Sequence, residues 1–162
     1  MRIPIESNTN VIDETPTTES NILSGYTGLS PQTMWELQQA RAATARYRNI
    51  ENARNDGYSD INVVVQEMGH HYMKSSLADA EFDYRNPEIL VYNREEDGSF
   101  KLVAVEYAVP LSLSANAPAG FSGSQDVWDG NTFFQLWLLH AWVWEFNPEG
   151  VFNPTNPSVH VH

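Results

Sequence analysis

The stretch PEILVYNREEDGSFKLVAVEYAVP, residues 87–110, decides how the chain is expected to fold. Residues 87–93 form a compact apolar segment, and residues 100–109 form a second one that ends at Pro110. The sequence EDGS, residues 96–99, separates them and is typical of a hairpin turn, because glycine readily adopts a positive φ. The stretch therefore predicts two neighbouring antiparallel strands.

Upstream of this hairpin, the pattern predicts one long helix over residues 30–57. Ser30 is a favourable N-cap, and Pro31 suits the first helical position, where its missing N–H costs nothing. Gly57 is placed to end the helix in the left-handed conformation. Apolar side chains recur every three or four residues, as one helix face requires, at Met34, Leu37, Ala40, Ala43, Tyr47, Ile50 and Ala53.

Further strands are expected on both sides of the hairpin. Residues 61–73 are rich in β-branched side chains around a break at Gly69, and residues 132–146 form a final apolar strand. The glycine- and proline-rich residues 111–130 predict a long loop. The sequence thus predicts an α+β fold, with one long N-terminal helix packed on a curled antiparallel sheet of four to five strands. The uncovered sheet face is then available for a pocket.

The organisation expected from composition is a flexible N-terminal arm, residues 1–29, followed by a single domain over residues 30–162. The arm is rich in polar residues and proline, which is typical of an extended or disordered segment, while a functional lid is the alternative. The first ten residues lack the apolar core of a signal peptide. The compartment stays open, and an extracellular location is expected if a signal peptide has been removed.

Composition also narrows the partners. The net charge of −12 disfavours nucleic acids and anionic membranes, since both attract basic side chains. The absence of cysteine excludes disulfides, thiolate catalysis and cysteine-bound metal clusters. The longest apolar run, residues 133–144, is shorter than the ~20 residues that cross a bilayer as a helix. The expected partner is a small molecule, and the sequence leaves a homo-oligomer open.

Three residues are the candidates for chemistry. Glu106 lies in the centre of an apolar strand, where a carboxylate is costly to bury unless it is paired or binds a metal. Its neighbours two positions away, Ala104 and Ala108, are small and leave space above the carboxylate. His140 lies in the final strand. One further histidine completes a ligand set of two imidazoles and a carboxylate, which is typical of open iron and catalytic zinc sites.

Structural roles for the same residues stay open. Glu106 can accept hydrogen bonds from a tyrosine, a tryptophan or an arginine, and a single histidine on an apolar strand is usually a core residue. Aromatic side chains also most often mean a hydrophobic core. Their number nevertheless favours an aromatic-lined pocket, in which the expected substrate-binding residues are Tyr72, Tyr107, Phe134, Trp142 and Trp144. The alternation of side chains places Trp142 and Trp144 on the same face as His140.

The segments GHHYMK, PEILVYN, LVAVEYAVP and WLLHAWVWEFNPEGVFNPTNP resemble a family of small, largely uncharacterised microbial proteins, many of them secreted. The motifs of that family are G-x-H-Y, P-E-x-L-x-Y, V-E-Y and L-H-x-W-x-W…N-P-x-G-x-F, and the resemblance covers about residues 40–157. It implies that His71 is the motif histidine and that His70 occupies a variable position. It implies no particular reaction.

Taken together, these features predict a small-molecule enzyme in which His71, Glu106 and His140 are both catalytic residues and ligands of a divalent metal, with iron, zinc and copper left open. Two alternatives remain. In one, the chain is a non-catalytic protein that binds an apolar or aromatic ligand. In the other, the same three residues act as a metal-free acid–base site, as in an isomerase or a cyclase.

Overall fold

Ser30 and Pro31 start a helix as predicted. In the computed structural model, which describes residues 19–162, helix α1 spans Pro31–Thr44. The Ser30 side chain accepts a hydrogen bond from the backbone N–H of Thr33 at 3.0 Å, which satisfies one of the free donors of the first turn. The capping residues therefore fix the position of the helix start.

The prediction of one long helix is wrong, because Asn49 interrupts it. A 3-10 turn, Ala45–Arg48, follows α1, and a second helix, α2, spans Ile50–Asn55. Asn49 has an extended backbone, and its side chain caps α2 by accepting a hydrogen bond from the Glu51 N–H at 3.0 Å. An asparagine that caps a new helix competes with continuation of the old one. Gly57, with φ +101°, ends α2 as predicted.

The N-terminal arm is described only in part, because residues 1–18 of the predicted arm lie outside the described residues. A 3-10 helix spans Glu19–Gly25, and the side chain of its residue Leu23 is buried in the core. The hydroxyl of Tyr26 donates a hydrogen bond to the carbonyl oxygen of Trp142 at 2.7 Å. Residues 22–26 thus lie on the domain and contribute to its core.

The described residues form six antiparallel strands in one curled sheet, where four to five were predicted. Their order across the sheet is β1-β2-β3-β4-β6-β5. The strands are β1 Ser59–Val65, β2 Gly69–Met73, β3 Ile89–Arg94, β4 Phe100–Pro110, β5 Asp129–Asn131 and β6 Leu136–Ala141. The predicted hairpin is confirmed as β3 and β4, and the class of the fold is α+β.

The predicted strand 132–146 is shorter than expected. The additional strand is β5, which lies before it in the sequence. Gln135 has a left-handed backbone, φ 58°, so β6 begins after it and pairs with the short β5. Beyond Ala141 the chain leaves the ladder, and the backbone N–H of Trp142 donates to Val151 O at 2.9 Å. Trp142 and Trp144 therefore lie outside the regular alternation of β6.

The two faces of the sheet have different partners. The helix-side face packs against α1 and α2 and carries the larger core, which includes Leu37, Tyr72, Leu90, Val105, Tyr107, Leu139 and Trp144. The opposite face, called the site face below, carries a smaller cluster of Ile89, Val91, Val103, Ala104, Ala108, Trp142 and Val159. In the part of the chain described, no helix has the length and apolar character needed to cross a membrane.

Candidate metal centre

The register of the sheet brings the three predicted residues together. His71 lies on β2, Glu106 on β4 and His140 on β6. Glu106 and His140 are direct cross-strand partners, whereas β3 separates His71 from Glu106. All three side chains lie on the site face, since neighbouring strands keep the same alternation.

Two of the three ligand-to-ligand distances, those to Glu106, match the spacing around a shared ion. The Oε1 atom of Glu106 lies 3.4 Å from Nε2 of His71 and 3.5 Å from Nε2 of His140, and one ligand atom from each residue lies within 4.8 Å of the others. A tetrahedral zinc ion with bonds of about 2.0–2.1 Å separates neighbouring ligand atoms by about 3.3–3.4 Å. The three side chains are 5%, 2% and 5% exposed, so they are almost closed to bulk water.

Two of these atoms have no hydrogen-bond partner. Among the described residues, Oε1 of Glu106 and Nε2 of His140 are buried and accept or donate no hydrogen bond. An unsatisfied buried polar group typically costs about 1–3 kcal/mol. The orphaned atoms face one another, and a cation between them would satisfy both. The residues present therefore fit a divalent ion.

The orientation of His71 is set by the edge strand β1. Its Nδ1 lies 3.0 Å from the carbonyl oxygen of Val63, which requires a proton on Nδ1 and leaves the lone pair of Nε2 facing Glu106. Val63 belongs to a bulge in β1, where Asn62 has φ 59° and its N–H donates to Oδ1 of Asp60 at 2.8 Å. Metal-bound histidines usually donate their second N–H to a carbonyl in this way.

Burial shifts all three pKa values in the direction of the neutral forms. It raises the pKa of Glu106 to about 8, with a further contribution from the negative charge of Asp129. It lowers the pKa of His140 to about 3, and the nearby His71 adds to this shift. Burial also lowers the pKa of His71. Without a cation, the group therefore holds a neutral carboxyl beside two neutral imidazoles at pH 7, and both imidazole lone pairs stay available.

The three residues lie at the wall of a cavity of about 170 Å³. Its other walls are mainly aliphatic and come from β1, β3 and β6, with Ile61, Val63, Ile89, Leu136 and Leu138 among them. Asp129 and Asn131 of β5 add two polar groups. A tetrahedral ion with three protein ligands keeps one position for water or substrate, and the cavity provides the space in front of it.

The predicted substrate-binding residues divide between the two faces. Phe134 lines the cavity, and the indole of Trp142 stacks parallel to the His140 ring at a centroid distance of 6.1 Å. Tyr72, Tyr107 and Trp144 belong to the helix-side core instead. Among the described lining residues, Phe134 supplies the only aromatic ring besides the imidazoles, so the cavity is aliphatic rather than aromatic.

Sequence reasoning missed Asp129, Asn131 and the Val63 carbonyl. Asp129 and Asn131 lie two residues apart, which places them on one side of a strand. A strand of three residues is too short for this alternation to be recognised, and Asp129 falls within the predicted loop 111–130. The role of Val63 depends on its backbone and leaves no signal in the sequence.

Comparison with known proteins identifies no match: no protein-family model, curated protein or solved structure is significantly similar to the chain. The resemblance described above therefore stays a prediction.

Proposed function

We propose that the protein is a metal-dependent enzyme for a small organic molecule, with His71, Glu106 and His140 as the ligands of one divalent ion. The observation that carries this proposal is the pair of orphaned atoms, Oε1 of Glu106 and Nε2 of His140, buried at ligand-to-ligand distance. Two imidazoles and one carboxylate favour zinc or non-haem iron, and copper also accepts imidazole ligands.

A metal-free proton pair between these residues is less well supported. A hydrogen bond to or from an ionised or protonated carboxyl is typically about 2.5–3.0 Å long. Glu106 lies 3.4 and 3.5 Å from the two imidazole nitrogens, and neither contact satisfies hydrogen-bond geometry. The separation therefore favours an ion between the groups over a proton shared by them.

Within this proposal the protein residues have separate tasks. A bound divalent ion would act as a Lewis acid that polarises a substrate oxygen or acidifies a water molecule. Val63 holds the tautomer of His71, and Trp142 limits rotation of the His140 ring. The aliphatic walls exclude water, and Asp129 at the cavity wall is placed to accept a proton from the bound molecule.

The test is metal binding by untagged protein, measured by elemental analysis and by calorimetric titration of the stripped protein with zinc. We expect one ion per chain, and an affinity at least about 100-fold lower in Glu106→Gln and His140→Ala. His70→Ala is the matched control, because His70 is the sequence neighbour of His71 but its ring packs on Phe100 instead. All variants carry His160→Ala and His162→Ala, which removes the exposed terminal imidazoles.

Folded wild-type protein that binds no divalent ion contradicts the proposal. Equal zinc affinity in Glu106→Gln and His70→Ala also contradicts it, because the ion would then bind elsewhere.

A further inference from the structure

The cavity in front of the three ligands restricts what can bind there. An apolar cavity of about 150 Å³ in another protein holds one benzene molecule, and the cavity of this chain measures about 170 Å³. A molecule with one ring therefore fills it. A molecule with two fused rings would have to extend through the mouth.

The charges of the cavity act against anions. None of the described residues that line it is a lysine or an arginine, while Asp129 is a carboxylate at its wall. The negative charge of Asp129 reaches as far as Glu106. An anionic ligand would lose its hydration with no cationic side chain to replace it.

Apart from Asp129, which is exposed, the described side chains at the mouth are apolar. Ile61 and Val65 of β1 and Phe134 of the β5–β6 turn all line the cavity and are 37%, 38% and 39% exposed. Phe133, which is 86% exposed, contacts Phe134 edge to face at 4.9 Å. Exposed apolar side chains around a cavity typically mark the place where a ligand enters.

We infer that the cavity binds an uncharged, largely apolar molecule of about one ring, which carries one hydroxyl or amine group. The apolar part lies between β1 and β6, and the O–H or N–H donates to Asp129. The inference rests on the proposed function in one respect, since the same oxygen or nitrogen atom is also the group that faces the ion. The size selection depends on the cavity alone, and the charge selection applies to the metal-free protein.

The experiment compares phenol with benzoate as probes, because they share one ring and differ in charge. Binding to the full-length protein is followed by calorimetry and by amide chemical shifts, in the zinc-loaded and the metal-free forms. We expect phenol to bind at least about tenfold more tightly than benzoate in the metal-free form. In the zinc-loaded form this preference is expected to shrink, because the bound ion adds positive charge at the cavity wall. Asp129→Asn is expected to narrow this difference, since it keeps the shape of the wall and removes its charge.

A steric variant tests the location. Leu138→Trp fills the cavity from β6 and is expected to weaken phenol binding at least about tenfold. Leu113→Trp is the control, because Leu113 is exposed and lies outside the cavity lining. Zinc affinity is measured on both variants, and Leu113→Trp is expected to stay within about twofold of wild type.

The outcomes separate the two proposals. Phenol binding to the metal-free protein that Leu138→Trp abolishes supports the cavity assignment even if zinc does not bind. Equal affinities for phenol and benzoate in the metal-free form, or phenol binding that Leu138→Trp leaves unchanged, overturn it. Absence of phenol binding in both forms also overturns it, whatever the affinity for zinc.

Discussion

Glu88, the residue before β3, and Glu106 in β4 are both buried, but their carboxyl groups have different surroundings. An oxygen of Glu88 accepts a hydrogen bond from the backbone N–H of Ala108 at 2.9 Å. Oε1 of Glu106 has no such partner among the described residues and faces two imidazole nitrogens instead. A buried carboxyl with a structural role normally has a hydrogen-bond partner, as Glu88 does. The unsatisfied one supports the proposal that Glu106 binds a ligand.

The pH dependence of stability provides a test of the Glu88 environment. Burial raises its pKa to about 7 from an ordinary value of 4.5, and the nearby charges of Asp79 and Asp83 add to this. The folded state therefore binds this proton more tightly than the unfolded state. The stabilisation is complete below pH 4.5 and is lost as the pH rises to about 7. Relative to Glu88→Gln, we expect wild type to lose ~3 kcal/mol over this window.

Urea denaturation in the presence of a chelator, at pH 4.5, 6 and 8, measures this difference. Glu149→Gln is the control, because that carboxyl is exposed. Parallel pH profiles of wild type and Glu88→Gln would show that the Glu88 carboxyl titrates normally.

At the scale of the elements, the bulge in β1 connects the sheet edge with the candidate metal centre. Asn62 has the left-handed conformation that shifts the register between Asp60 and Val64. The Val63 carbonyl in this bulge is the partner of the His71 ring. In a regular edge strand, each carbonyl either bonds to β2 or points away from the sheet edge, so none would face the His71 ring. The bulge thus acts as a positioning device for the imidazole.

Substitutions of Asn62 separate this positioning from stability. We expect Asn62→Val to cost about 1 kcal/mol, since a β-branched residue is strained at positive φ, and to weaken zinc binding about tenfold by displacing Val63. Asn62→Gly is expected to retain both, because glycine adopts the same backbone without strain. Stability is measured by urea denaturation and zinc affinity by calorimetry. Normal zinc affinity in a folded Asn62→Val protein would show that the bulge does not position His71.

Some features of the helices and strands were predictable from the sequence and others were not. The cap at Ser30, the turn at residues 96–99 and the hairpin strands were predictable, because each depends on local chemistry. The helix break at Asn49 was not, since an asparagine inside an apolar stripe is compatible with both a helix and a cap. The start of β6 was also not predictable, because it depends on the left-handed Gln135.

The three polar residues of the candidate site were predictable from the sequence, but the other residues that line its cavity were not. Glu106 was recognised because a carboxylate inside an apolar strand is costly, and His140 because it interrupts an apolar run. Glu106 and His140 pair because β4 and β6 are neighbours in the sheet. The alternation of side chains does not predict which strands are neighbours. The assignment of Trp144 to the face of His140 assumed a strand that continues past Ala141, and the chain bends there.

In the whole molecule, one face of the sheet carries the larger hydrophobic core and the other face carries the candidate site. The helix-side core contains most of the large buried aromatic residues, and Trp144 fixes α1 to the sheet by donating to the Thr44 hydroxyl at 3.0 Å. The site face has a smaller core, a cavity and the polar group of His71, Glu106 and His140. The buried polar residues interrupt only the smaller of the two apolar clusters. The larger cluster on the helix side therefore keeps its apolar contacts.

X-ray absorption of the zinc-loaded protein identifies the atoms bound to the ion. We expect a four-coordinate ion with two imidazole nitrogens and oxygen ligands, all at about 2.0–2.1 Å. The imidazole signals are expected to disappear in the double variant His71→Ala/His140→Ala, while His70→Ala keeps them. A zinc shell without imidazole, or an unchanged shell in the double variant, would contradict a metal centre formed by His71, Glu106 and His140.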